Sequence, residues 1–149
     1  DLPELNFLVE GYPDTSFIPK TLLYVDYRAK AQGIAIHLRQ QLGKTPAVDG
    51  ISAKEIESTI GVYSSIIPPP IRDHLFKRFR KGEVRILVCT DACGMGMDIH
   101  NVERVVQFGI TESLTISDLV QRIGRCARGK DINGAAFIFI QEKYIYVDR

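Results

Sequence analysis

The sequence predicts an open, mostly parallel α/β sheet with helices on both faces. Three observations carry this. Short apolar runs alternate with helical patterns along the chain, which is the rhythm of strand–helix–strand units. The run Ile86-Leu87-Val88-Cys89 is continuously apolar, as expected of a strand covered on both sides. Glycines, hydroxyls and charges then gather just after the strand ends, where open parallel sheets place ligands.

Taken in order, Asp1 to Lys20 has no clear period and holds Pro3, Pro13 and Pro19. It reads as a lead-in or linker over 1–19, with a short strand near Phe7–Val9, and the domain is expected to occupy 20–149. Thr21-Leu22-Leu23-Tyr24-Val25 predicts the first strand. From Arg28 to Leu42, the residues Ala31, Ile34, Ala35, Leu38 and Leu42 fall on one helical face, and Gly43 is expected to stop that helix. Ser52-Ala53-Lys54-Glu55 has the pattern of a capping box opening a short helix, followed by a strand at Ile60 to Tyr63.

Pro68-Pro69-Pro70 leads into a helix over Ile71–Arg80. Ile71, Leu75, Phe76 and Phe79 are its expected buried stripe, and Arg72, Lys77, Arg78, Arg80 and Lys81 its basic side. After the central strand comes another at Arg104-Val105-Val106-Gln107-Phe108. Thr115-Ile116-Ser117-Asp118 suits the cap of a helix running to Ile123. A last strand is expected over Ala135 to Ile140.

The 149 residues are 45% hydrophobic and 25% charged, which fits one domain with a full core. No apolar run is long enough to cross a membrane, so no membrane partner is expected. The chain starts at Asp1 rather than methionine, and it reads as a piece of a longer protein. A net charge of +1 confines any nucleic-acid footprint to a local patch. Cys89, Cys93 and Cys126 are odd in number and lack metal-ligand spacing. A zinc site or disulfide framework is therefore not expected, and a reducing, intracellular compartment is.

Gly43-Lys44-Thr45 is not a phosphate-binding loop. That motif needs a glycine five positions before the Gly-Lys pair, and the position holds Leu38. Two other stretches carry chemistry. In Thr90-Asp91-Ala92-Cys93-Gly94-Met95-Gly96-Met97-Asp98, a hydroxyl, two carboxylates and two glycines follow the central strand, and the glycines let backbone approach a ligand closely. In Gln121-Arg122-Ile123-Gly124-Arg125-Cys126-Ala127-Arg128-Gly129, three arginines stand within seven residues. Arg125 and Arg128 are three apart, so both forks can serve one phosphate. An ordinary solvated basic helix end is the competing interpretation.

The second stretch resembles motif VI of superfamily 2 helicases, Q/H-R-x-G-R-x-x-R, and the first resembles their motif V. Thr21 to Val25 looks like motif IV, and Tyr63-Ser64-Ser65 resembles the segment between motifs IV and V. The order and spacing agree over about residues 20 to 140. The Gly-Met-Gly-x-Asp form and Gln121 look RecQ-like, whereas Arg122-Ile123 resembles the DEAD-box form.

The resemblance implies the C-terminal, RecA-like lobe of an ATP-dependent helicase, with RecQ-like DNA unwinding as the leading expectation. It implies ATP and Mg2+ held mainly by an N-terminal RecA-like lobe of the same protein, and a location in nucleus or nucleoid. Arg125 and Arg128 would be arginine fingers on the terminal phosphate. Gly96 and Asp98 would meet the nucleotide, and Gln121 and Arg122 would work at the nucleotide side between the lobes. Thr90, Ser64 and Arg28 would hold single-stranded nucleic acid, with DNA ahead of RNA. A DEAD-box-like RNA helicase lobe and a non-catalytic nucleic-acid-binding module are the alternatives.

Overall fold

The computed structural model describes residues 2–44, 51–90, 101–111, 114–125 and 134–141. Five parallel strands lie in the order β2-β3-β1-β4-β5: β1 Thr21–Tyr24, β2 Ile60–Tyr63, β3 Ile86–Cys89, β4 Arg104–Phe108 and β5 Ala135–Phe139. Helices α1 (Arg28–Lys44), α2 (Ala53–Thr59), α3 (Pro69–Arg80) and α4 (Ile116–Ile123) connect them. The expected RecA-like sheet is therefore present.

Alternation along the strands sorts the core into two layers. Leu23, Val25, Ile60, Val62, Ile86, Val88 and Val106 face α1 and the N-terminal segment. Leu22, Tyr24, Tyr63, Leu87, Cys89 and Val105 face the other way, where Phe79, Leu75 and Phe76 of α3 pack. Gly61 is the point of closest approach on that side. A Cβ there would lie 2.6 Å from Leu75 Cδ1, so glycine lets α3 settle onto β2.

The caps follow the sequence. Ser52 accepts a hydrogen bond from the Glu55 amide at 3.1 Å. Thr115 and Asp118 form a reciprocal capping box at the start of α4. The hydrogen bond from the Thr115 amide lowers the Asp118 pKa below its ordinary value. That contribution is present above the ordinary aspartate pKa and is lost as pH falls through the lowered one.

Four expectations need correction. The segment near Phe7–Val9 is not a strand: Pro3–Leu8 is a 3₁₀ helix, and Leu5, Leu8, Val9 and Ile18 are buried. Its prolines break periodicity without preventing burial, because a 3₁₀ turn tolerates proline at its start. Gly43 does not stop α1, which continues through Lys44. On α3 only Phe79 is fully buried and Ile71 is 60% exposed, because α3 meets β2 a turn later, where Leu75 lies against Gly61. The last strand ends at Phe139, one residue early.

Arg104 ties the N-terminal segment to the sheet. Its Nε donates to Thr21 Oγ1 at 2.9 Å, Nη2 to the Leu8 carbonyl at 2.8 Å and Nη1 to the Tyr12 hydroxyl at 3.3 Å. The Phe7 and Tyr12 rings flank the guanidinium, their centroids 6.0 and 5.8 Å away. Burial lowers the Arg104 pKa, and Tyr12 and Glu103 partly offset this; the fork stays charged. Arg104→Ala removes three hydrogen bonds and strands buried acceptors, so it should destabilise the fold by about 2–4 kcal/mol. Urea unfolding of the chain measures this, and a change in stability of less than about 0.5 kcal/mol, the range of ordinary surface substitutions, would count Arg104 out as an anchor.

Candidate functional site

Parallel register brings the carboxyl ends of β1, β2 and β3 level: Tyr24 pairs with Cys89, and Cys89 with Tyr63. The residues just beyond must converge. Asp26, Tyr27 and Arg28 follow β1, Ser64, Ser65 and Ile66 follow β2, and Thr90 follows β3. These seven line one cleft of about 230 Å³. Arg28, Ser64 and Thr90, chosen from sequence as nucleic-acid contacts, thus share a single site.

Their chemistry is graded. Arg28 is exposed and Thr90 half-buried, while Ser64 is 3% exposed. The Ser64 hydroxyl is buried without a hydrogen-bond partner, a state that costs free energy until a polar ligand or water meets it. Asp26 also lines the cleft. Lys30, one turn along α1, stands 3.5 Å from its carboxylate and offsets that charge. A cation, the hydroxyl residues Ser64, Ser65 and Thr90 and a neutralised carboxylate form a small polar receptor suited to phosphate and sugar oxygens.

The other group of expected residues sits on α4. Gln121 is exposed on its last turn, and Arg125 is half-buried just beyond it. Arg122 points back to the sheet. Its Nη1 donates to Gln107 Oε1 at 2.8 Å, and its guanidinium lies 4.8 Å from the Tyr24 ring centroid. Gln107 Nε2 in turn donates to the Gly109 carbonyl at 2.8 Å, where the backbone takes φ 91°, a conformation glycine adopts freely. Arg122 therefore locks α4 onto β1 and β4, and sets where Arg125 begins.

Arg125 and Gln121 are chemically suited to a nucleotide phosphate, a charged fork beside a neutral donor. Gly96, Asp98 and Arg128 lie outside the described residues, as do Cys93 and Cys126. Among the described residues no group of three or more His, Cys, Asp or Glu could hold a metal ion, and no helix is long and apolar enough to cross a membrane.

Sequence reasoning missed Gln107, Tyr27 and Ile66. Gln107 carried a signal, being the one uncharged polar residue in the run Arg104–Phe108. Tyr27 and Ile66 carried none, because their place in a cleft depends on which strand ends are neighbours.

The model of the helicase conserved C-terminal domain matches residues 4–130. The ATP-dependent RNA helicase DBP3 of Mycosarcoma maydis is 36% identical over 110 residues, covering 74% of this chain and 16% of the relative. The chain thus spans about a sixth of that protein. Among solved structures, Mss116p DEAD-box helicase domain 2 bound to an RNA duplex has a TM-score of 0.65 at 26% identity, over 84% of this chain and 43% of that one. The Mycobacterium smegmatis helicase Lhr bound to ssDNA and AMP-PNP has a TM-score of 0.68 at 14% identity, over 91% and 16%, and shares the fold. With a RecA-like sheet, a polar cleft at its strand ends and a family match spanning most of its length, the chain belongs to the helicase conserved C-terminal domain family.

Proposed function

We propose that the chain is the second lobe of an ATP-dependent RNA helicase of the DEAD-box kind, acting with an N-terminal lobe of the same protein. The observation that carries the nucleic-acid role is the convergence of Arg28, Ser64 and Thr90 on one cleft. The choice of RNA rests on kinship: the DBP3 relative is named an RNA helicase, and the Mss116p domain is bound to an RNA duplex. Arg122-Ile123, the DEAD-box form of motif VI, agrees with it. RecQ-like DNA unwinding is the second reading, favoured by Gln121 and by Gly94-Met95-Gly96 in motif V.

In this proposal the chain's residues divide the work. Arg28, Ser64 and Thr90 hold one strand by its backbone. Arg122 fixes the end of α4 against Gln107 and Tyr24, and Arg125 and Gln121 face the nucleotide side, with Arg128, Gly96 and Asp98 joining them. ATP with Mg2+, held mainly by the other lobe, would supply phosphoryl-transfer energy when bound. This sequence has no P-loop of its own, so closure of the two lobes brings Arg125 to the phosphates.

Arg125→Ala in the intact protein should lower ATP turnover by roughly 10³–10⁵-fold with a much smaller change in ATP affinity, because an arginine finger acts on transition-state charge. Lysine there should not restore turnover, since the planar fork is lost. Steady-state phosphate release, read beside nucleotide binding, separates the two effects; near-normal turnover would leave Arg125 as a structural charge.

RNA should stimulate the ATP turnover of the intact protein more than single-stranded DNA of equal length. Stimulation by DNA alone would restore the RecQ-like reading, and stimulation by neither would favour a non-catalytic binding module.

A further inference from the structure

The polar receptor between β1, β2 and β3 has two large apolar residues at its rim. Tyr27 is 57% exposed and Ile66 is 61% exposed, and both line the cleft. Neither is needed by a site that binds phosphates alone. Rings of this size normally bury most of their surface.

Both are held on short, fixed backbone. The Tyr27 carbonyl accepts from the Ala31 amide at 3.1 Å, so Tyr27 stands at the start of α1. The Ile67 amide donates to the Ser64 carbonyl at 3.2 Å, which closes the turn carrying Ile66. Lys30 Nζ, ion-paired to Asp26, also lies 5.8 Å from the Tyr27 ring centroid and helps to hold the ring in place. An open aromatic ring beside a cationic, hydroxyl-bearing groove is the pairing that single-strand binding surfaces use, with bases stacked on rings while the groove follows the backbone. Tyrosine serves this role at low entropic cost, having two side-chain torsions.

From this juxtaposition we propose that Tyr27 is a stacking platform for one nucleobase of the strand held by Arg28, Ser64 and Thr90, with Ile66 covering the base from the loop after β2. The proposal rests on the nucleic-acid reading of the cleft and adds a base contact to it. Stacking uses the face of the base and not its edge, so it adds affinity with little sequence preference.

The test uses the intact protein, a labelled short oligouridine and an abasic strand of equal length, followed by fluorescence anisotropy. Tyr27→Ala should weaken oligouridine binding by roughly 5- to 150-fold, the range found for loss of one stacked base. It should leave the abasic strand nearly unchanged, and Tyr27→Phe should bind oligouridine like the parent. Equal weakening on both strands would overturn stacking and make Tyr27 a structural contact. No weakening by Tyr27→Ala, with clear weakening by Arg28→Ala, would overturn stacking while keeping the cleft as a backbone site. Indifference to Tyr27→Ala, Arg28→Ala and Thr90→Ala together would overturn the cleft reading itself, and stacking with it.

Discussion

The cleft depends on strand register. Thr21 to Tyr24 pair one-to-one with Ile86 to Cys89 on one side and with Arg104 to Gln107 on the other. Because β3 also pairs with β2 from Ile60 to Tyr63, β1, β2 and β3 end level, and β4 runs one residue further. A slip of one residue would turn Leu23 and Val25 from one core layer to the other. It would also carry Arg28 about 3.3 Å along the strand axis relative to Thr90. Packing on both faces forbids the slip. The same apolar contacts that stabilise the sheet thus hold three loops to within a fraction of that step.

Two arginines then fix what the sheet alone leaves loose. Arg104, on the α1 side, collects Thr21, Tyr12 and the Leu8 carbonyl. Arg122, on the other side, collects Gln107 and the Tyr24 ring. Their positions explain the choice of arginine. Arg104 must satisfy three acceptors from different directions in a buried place, and Arg122 must donate to Gln107 while lying near the Tyr24 ring; a planar fork does either where a lysine point charge would not. Arg122 also anchors the end of α4, from which Arg125 follows directly.

Much of the fold was legible because strands and caps are local signals. Ile86–Cys89 is an apolar run, Arg104–Phe108 is a β-branched and aromatic run that ends before Gly109, and the Thr115 capping box specifies its helix start by two hydrogen bonds three residues apart. The 3₁₀ segment Pro3–Leu8 was not legible. Its burial comes from packing into the core layer that α1 and the sheet build, with Arg104, 96 residues from Leu8, holding the Leu8 carbonyl, and such contacts leave no period in sequence. The exposed Ile71 was misplaced for a related reason. Helical spacing identifies a stripe but does not say how far the neighbouring sheet extends beneath it. The receptor residues were found one by one through motif resemblance, yet their convergence, and the presence of Tyr27 and Ile66 beside them, followed only from strand order.

That separation also bears on why motif residues pointed toward DNA while the relatives point toward RNA. Gln121 stands on α4, whose described anchoring contacts are with β4 and β1 through Arg122. The cleft is built by the loops after β1, β2 and β3, and no α4 residue lines it. A protein tells RNA from DNA where it touches the 2′-hydroxyl, which is where the strand lies. Under the proposed function Gln121 and Arg125 serve the nucleotide side, so their identity would constrain ATP chemistry and say little about the sugar of the bound strand. Under the proposed strand-binding role, the group best placed to meet a sugar hydroxyl is Ser64, whose buried hydroxyl lacks a hydrogen-bond partner, with the Asp26 carboxylate, ion-paired to Lys30, beside it. Both can accept from a hydroxyl donor. On that proposal sugar discrimination would belong to the cleft, and subfamily resemblance in motif VI is weak evidence for it.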